Sequence, residues 1–124
     1  MRPVLSHSMQ RFVLVLFVLA TSLLGGCRSY EDVQDDARAL RTEVAACKEG
    51  DECDVIDPPA DDCTGVFSCR FAVNLARRAE AQSRSAGLAK ESRSYDTCSR
   101  AFCAEVRSAH CDLARGRCVS EDGE

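Results

Sequence analysis

Eight cysteines between positions 47 and 118 constrain this chain of 124 residues more than any other feature. They are Cys47, Cys53, Cys63, Cys69, Cys98, Cys103, Cys111 and Cys118, and a ninth, Cys27, stands apart behind an N-terminal apolar run. Cysteine at about 7% of residues is far above ordinary usage. The chain has no Trp, two Tyr and five Phe, and Phe12 and Phe17 lie in the apolar run, so few large side chains remain to fill an interior. The length admits one small domain and excludes multidomain enzymes, long repeat arrays and large barrels. An even set of cysteines on so small a core therefore reads as four disulfides. Metal binding is the competing reading, but intervening lengths of 5, 9, 5, 28, 4, 7 and 6 residues contain no C-x2-C pair, and His110 is the single His after the apolar run. Neither a zinc or iron–sulfur site nor a thioredoxin-like redox pair is expected, and no cofactor is implied. Eight cysteines allow on the order of a hundred pairings, so the connectivity stays open.

Arg2 and Arg11, with no acidic residue between them, precede the 13-residue run Phe12 to Leu24, which ends in Gly25-Gly26-Cys27. The order basic, apolar, small is that of a secretory signal. A helix of that length rises about 20 Å, short of the roughly 30 Å hydrocarbon core, so a permanent transmembrane helix is not expected. Met9 offers a second start, with Met-Gln-Arg as a compact basic region. The four residues Leu24-Gly25-Gly26-Cys27 resemble the lipobox of bacterial lipoproteins. That resemblance implies removal of residues 1–26, a thioether-linked diacylglycerol on Cys27 and acylation, commonly with palmitate, of the new amino group. Two or three acyl chains make a stable anchor where one is marginal. Arg28, rather than Asp, follows the cysteine, which by the same resemblance implies sorting to an outer membrane, facing the periplasm or the cell surface. The alternative is an ordinary cleaved signal with Cys27 free or in a disulfide.

The remaining chain divides into a lipid-anchored helix or stalk over 27–46, a disulfide-stapled domain over 47–119 and a polar, frayed tail over 120–124. Val33, Ala37, Leu40, Val44 and Cys47 form one apolar stripe at helical spacing over 30–48, with Ser29 and Asp32 placed for a capping box. The stripe fits a helix docked on its own domain, a stalk, or a short self-associating seam. Residues 49–62 read as an acidic loop around Pro58-Pro59 with a short strand at Cys53 to Ile56. Its Asp51, Glu52, Asp54, Asp57, Asp61 and Asp62 lack the spacing of a calcium loop and read as solvated. Asn74 caps a second helix, Leu75 to about Lys90, with Ala72, Ala76, Ala79, Ser83 and Ala86 as a small-residue face. The pattern 101–120 reads as a hairpin turning near Leu113 to Gly116, which sets Cys111 opposite Cys118 as a candidate pair. The expected fold class is α+β: a small disulfide-rich domain with two helices and a few short antiparallel strands.

Charge is uneven. Residues 28–62 carry a net −8, residues 63–118 a net +5 and residues 119–124 a net −3. Either the acidic half packs against the basic half, the favoured reading, or the asymmetry is displayed to partners. Arg70, Arg77, Arg78 and Arg84 form a basic ridge that an anionic polymer or lipid head group would suit, set against a plain solvated face. Nucleic acid is not an expected partner for a net-acidic exported chain. Catalytic motifs are missing: there is no G-x-S-x-G elbow, no H-E-x-x-H pair and no phosphate-cradling Gly loop, so a hydrolase would have to rest on His110 alone.

Cys47 to Cys53 (C-K-E-G-D-E-C), Cys63-x5-Cys69, Ala72-Val73-Asn74 leading into a helix and the closing Cys111-D-L-A-R-G-R-Cys118-Val119 resemble a group of small, Cys-rich exported bacterial proteins. Those often carry C-x-x-D-x-D-C early and C-x-x-G-R-C-V late; here Asp51-Glu52 replaces the first acidic pair and the last loop is longer. The resemblance implies a fold and a compartment but no activity. The expected function is a membrane-anchored lipoprotein with a non-enzymatic binding or envelope-structural role, with an envelope protein or anionic polymer as partner and oligomeric state open. The alternative is a secreted protease inhibitor presenting a rigid loop, Asp57 to Asp62 or Ala104 to His110.

Overall fold

A computed structural model describes residues 27–122, Asp122 by its backbone alone. The signal segment 1–26, including Leu24-Gly25-Gly26, lies outside the described residues. Two helices and four short strands follow in the order α1 (Tyr30–Ala45), β1 (Cys53–Ile56), β2 (Phe71–Asn74), α2 (Arg78–Ser92), β3 (Val106–Asp112) and β4 (Arg117–Asp122). The strands form two antiparallel two-stranded sheets, β1–β2 and β3–β4, and with four disulfides they make a small α+β disulfide-rich domain.

Helix α1 starts where its capping chemistry dictates. The Ser29 hydroxyl accepts from the Asp32 N–H at 3.2 Å, and the Asp32 carboxylate accepts from the Ser29 N–H at 2.7 Å, so both orphan donors are satisfied. The expected stripe is the buried face as far as Val44: Val33, Ala37, Leu40 and Val44 are at most 1% exposed, whereas the helix ends at Ala45 and Cys47 lies beyond it, bonded to Cys111. Ala37, Leu40 and Val44 pack on Ile56, Phe67, Phe71, Val73 and Ala81, with the Phe67 and Phe71 rings 5.4 Å apart. The stripe is thus covered within the chain, and the helix docks on the disulfide-linked body. A second copy finds no apolar seam on this face.

The first ladder pairs Cys53 with Asn74 through Ile56 with Phe71, and the strand expected at Cys53 to Ile56 has those bounds. Asn74 does act as a cap, its Oδ1 accepting from the Ala76 N–H at 3.0 Å, but it caps a single 3₁₀ turn, Leu75–Arg77, and α2 proper begins at Arg78. The expected small-residue face is not the buried one. Ala76, Ala79, Ser83 and Ala86 face solvent, while Ala81, Ser85, Ala89 and Ser92 are buried. Small residues occur on every side of α2, so their spacing does not set its phase. The larger Leu88, which packs against the core beside this row, does.

The hairpin turns at Leu113 to Gly116 as expected. Asp112 Oδ1 accepts from the N–H groups of Ala114 and Arg115, and Gly116 closes the turn at φ +64°, a left-handed position that suits glycine. Pairing runs to Val106↔Asp122 past an irregularity between Val106 and Ser108. Residues 120–122 therefore belong to β4 and not to a frayed tail, because β3 offers them a ladder; Gly123 and Glu124 lie outside the described residues. The two ladders lie against each other, β1 on β3 and β2 on β4. Gly65, at φ +77°, allows the close approach of a second crossing: a Cβ there would sit 2.9 Å from Ser99 Oγ, beside the Thr64↔Ser99 bridge.

Candidate functional site

The eight cysteines pair as Cys47–Cys111, Cys53–Cys118, Cys63–Cys98 and Cys69–Cys103. Each bridge joins the 47–69 segment to the 98–118 segment. Cys111 and Cys118 do stand opposite each other in the hairpin register, but they are not bonded to each other. Directly opposed strand residues hold their Cβ atoms about 4.5–5.5 Å apart, wider than the roughly 3.8 Å a disulfide prefers, so each reaches instead to the layer beneath. The bonds of Cys47 and Cys53 lie side by side, which brings the sulfurs of Cys47, Cys53 and Cys118 within 4.8 Å of one another. In the oxidised protein those sulfurs are bonded and offer no thiolate to a metal.

Cys27 is the one cysteine outside the bridges, and it is exposed. The chain leaving it is fastened at once to the folded body. The Arg28 guanidinium pairs with Asp36 and Glu91, and the Arg28 carbonyl accepts from the Tyr95 hydroxyl at 2.7 Å. Tyr30, its ring 5.8 Å from that of Tyr95, donates to the Cys63 carbonyl. Gln34 donates to the Thr64 carbonyl at 2.7 Å. No free linker separates Cys27 from α1. Among the described residues no helix is long and apolar enough to cross a membrane.

The basic ridge is occupied from within. Arg77 and Arg84 share Glu43 and Glu80, Arg78 pairs with Asp54 and Arg70 with Asp57. Glu43 is held below its ordinary carboxylate value first by its hydrogen bond from Arg77 and then by Arg84, and Glu80 likewise by Arg84 and Arg77. Most of these pairs run between the acidic first half and the basic second half, with Arg93–Asp61 adding another. In the acidic loop Glu52, Asp57 and Asp61 are exposed, as expected of a solvated stretch, whereas Asp62 is buried because Thr64 supplies its donors. Asp51 Oδ2 accepts from the Lys48 N–H and from Asn74, and buried Asp62 Oδ1 accepts from the N–H and hydroxyl of Thr64. Among the described residues the acids gather into no metal-sized cluster.

His110 sits on β3 with Nδ1 3.0 Å from Glu121 Oε1, and the Ser108 hydroxyl donates to the other oxygen of Glu121 at 2.8 Å. Serine and imidazole both meet the carboxylate and not each other, on an exposed ladder edge, so the hydroxyl has no base positioned to take its proton.

Of the two loops expected to project, Asp57 to Asp62 is tied down through Arg70, Arg93 and Thr64, and most of Ala104 to His110 is strand β3. The projecting segment lies just before it. Residues 101–105 have no regular structure, Phe102 is fully exposed, and the flanking Cys98 and Cys103 are bonded to Cys63 and Cys69. An apolar ring in a loop that polarity alone would pass over is the signal that marks it.

Nine of the twelve arginines among the described residues contact a carboxylate; Arg41, Arg100 and Arg117 do not. Arg41 and Arg117 line a groove of about 590 Å³ between α1 and β4, together with Arg38 and Arg115. Comparison with protein families, with curated proteins and with solved structures gives no match to this chain.

Proposed function

We propose that this chain is a bacterial lipoprotein, anchored through Cys27 to the cell envelope, in which a rigid disulfide-bonded domain has a non-enzymatic binding or structural role. The observation that carries the reading is the division of the cysteines: eight are bonded in pairs, and the one left over is exposed directly behind Leu24-Gly25-Gly26. The fastening of Arg28 and Tyr30 supports a domain held close against the bilayer, since an acylated Cys27 would have no slack before α1. Outer-membrane sorting is part of the proposal and rests on Arg28. Intact-mass measurement of the protein from its native membrane tests it. The expected species begins at Cys27, carries acyl chains, and gains the mass of about eight hydrogens on reduction. An unmodified chain with a free Cys27 thiol would overturn it.

Phe102 favours a second reading, a protease inhibitor. A fully exposed aromatic ring between two bridged cysteines is a pre-ordered bait for the apolar specificity pocket of a serine protease. Micromolar inhibition of a chymotrypsin-like protease that Phe102→Ala removes would support it, and no inhibition across a panel of serine and cysteine proteases would remove it.

A further inference from the structure

We infer that the groove between α1 and β4 is a binding site for a phosphate monoester. The inference goes beyond the reading above, because the groove would take its ligand whether or not Cys27 carries lipid.

The groove sets four guanidiniums, Arg38 and Arg41 from α1 and Arg115 and Arg117 from the hairpin, around one space, and among the described residues no carboxylate lines it. That is out of keeping with a chain of net charge −4 in which most arginines sit against acids. Arg38 and Arg115 have partners, Asp35 and Asp112, that lie outside the groove. Arg41 and Arg117 contact no carboxylate among the described residues. Arg41 is spread over the Phe71 ring at 5.8 Å and donates one hydrogen bond, to the Val66 carbonyl, which leaves most of its donors unused. Burial and the like charge of Arg117 both hold it below its ordinary value. Two cations without a carboxylate partner on one groove are a local cost to the fold, and an anion between them relieves it.

The size and lining decide the class. About 590 Å³ is the size of a small-molecule site. A carboxylate is satisfied by one bidentate Arg, whereas a phosphate monoester brings nearly two charges and three acceptor oxygens, enough to engage several guanidinium forks at once. The Thr42 and Ser120 side chains add hydroxyls, and Val66 and Val119 give an apolar wall for the group that the phosphate esterifies. The groove lies toward the C-terminal end of α1, opposite the end that carries Cys27. The shared chemistry is a phosphate monoester, and its source is a soluble molecule or a lipid head group.

Calorimetric titration of the oxidised lipoprotein in non-ionic detergent at low salt, with phenyl phosphate, inorganic phosphate and benzoate as probes, tests the site. Phenyl phosphate is expected to bind saturably and more tightly than inorganic phosphate, with benzoate weakest. Arg117→Gln should weaken phenyl phosphate about tenfold or more, and Arg107→Gln, on β3 outside the groove, should not change it. A second readout has opposite sign. In phosphate-free buffer Arg117→Gln should raise the unfolding midpoint by removing the like charge beside Arg41, and phosphate should raise the midpoint of the parent but not of the variant. The two sources separate when the lipoprotein is placed in phosphatidylcholine vesicles and mixed with phosphatidate vesicles: bridging that Arg117→Gln abolishes assigns a facing head group, and ester binding without bridging assigns a soluble ester. If parent and Arg117→Gln bind phenyl phosphate alike, or neither saturates, the site is overturned.

Discussion

The two halves of this molecule are held by different forces. Helices α1 and α2 and the β1–β2 ladder meet over a core in which Leu40, Ile56, Phe67 and Phe71 are wholly buried. The segment from Cys98 onward, including the β3–β4 hairpin, places only Val106 and Cys118 out of solvent among its described hydrophobic residues. It is attached instead by four bridges, all running back to the 47–69 segment. Apolar burial orders the first half wherever the chain goes next, whereas the second half keeps its place because the unfolded chain is denied its freedom. A small exported domain can therefore carry a nearly coreless hairpin and an exposed loop, surfaces that burial would otherwise consume.

Cutting the staples should break this contrast most sharply. Replacing Cys47, Cys53, Cys111 and Cys118 by Ala removes two bridges whose partners are 64 and 65 residues apart. In the chain-entropy account each contributes about 4 kcal/mol. Hydrogen exchange should then show the β3 and β4 amides losing more protection than those of α1. Equal loss in α1 would mean that the hairpin supports the core and the two halves are one.

Phe71→Ala strikes the other half. The ring lies against Phe67 and beneath the Arg41 guanidinium, and its loss should cost about 3–5 kcal/mol in a denaturant titration. The four bridges should still form, which a thiol count reads directly. A smaller third effect lies at the junction. Buried Ser92 accepts from the Cys63 N–H at 3.1 Å and donates to the Ala89 carbonyl at 2.6 Å, so Ser92→Ala strands a donor next to the Cys63–Cys98 bridge. About 1–3 kcal/mol is the expected loss.

The same contrast explains what could be read from the residues alone. Helix α1 was legible because Val33, Ala37, Leu40 and Val44 repeat at 3.6 and Ser29 and Asp32 cap it, and the hairpin because Asp112 and Gly116 specify its turn. These are local codes. The phase of α2 was not legible, since Ala and Ser on all its sides leave the choice to Leu88 and the core it meets. Nor was the connectivity, which depends on two ladders lying face to face. The groove was the least legible: the sequence places Arg38 and Arg41 far from Arg115 and Arg117, and its obvious basic cluster, Arg70 to Arg84, is the one neutralised by Glu43, Glu80, Asp54 and Asp57.

Acid should separate the halves more gently. Asp32, Glu43 and Glu80 all lie on α1 and α2, and each is held below its ordinary value: Asp32 by the Ser29 N–H and then its hydroxyl, Glu43 by Arg77 and then Arg84, Glu80 by Arg84 and then Arg77. A carboxylate whose folded value is depressed adds stability that is complete above the unfolded values of 3.8 and 4.5 and is lost as pH falls through the folded ones. The disulfides that hold the hairpin do not titrate. Lowering pH below about 4 should therefore loosen α1 against α2 while the hairpin stays tethered, with a midpoint shift of only a few degrees because these groups are exposed. Salt distinguishes the contributions: it screens Glu43 and Glu80, which face guanidiniums, and leaves the hydrogen-bonded cap at Asp32 nearly untouched. Glu43→Gln should flatten the salt-sensitive part of the acid profile and leave the rest, whereas an unchanged profile would show that the helix pair draws its stability from burial alone.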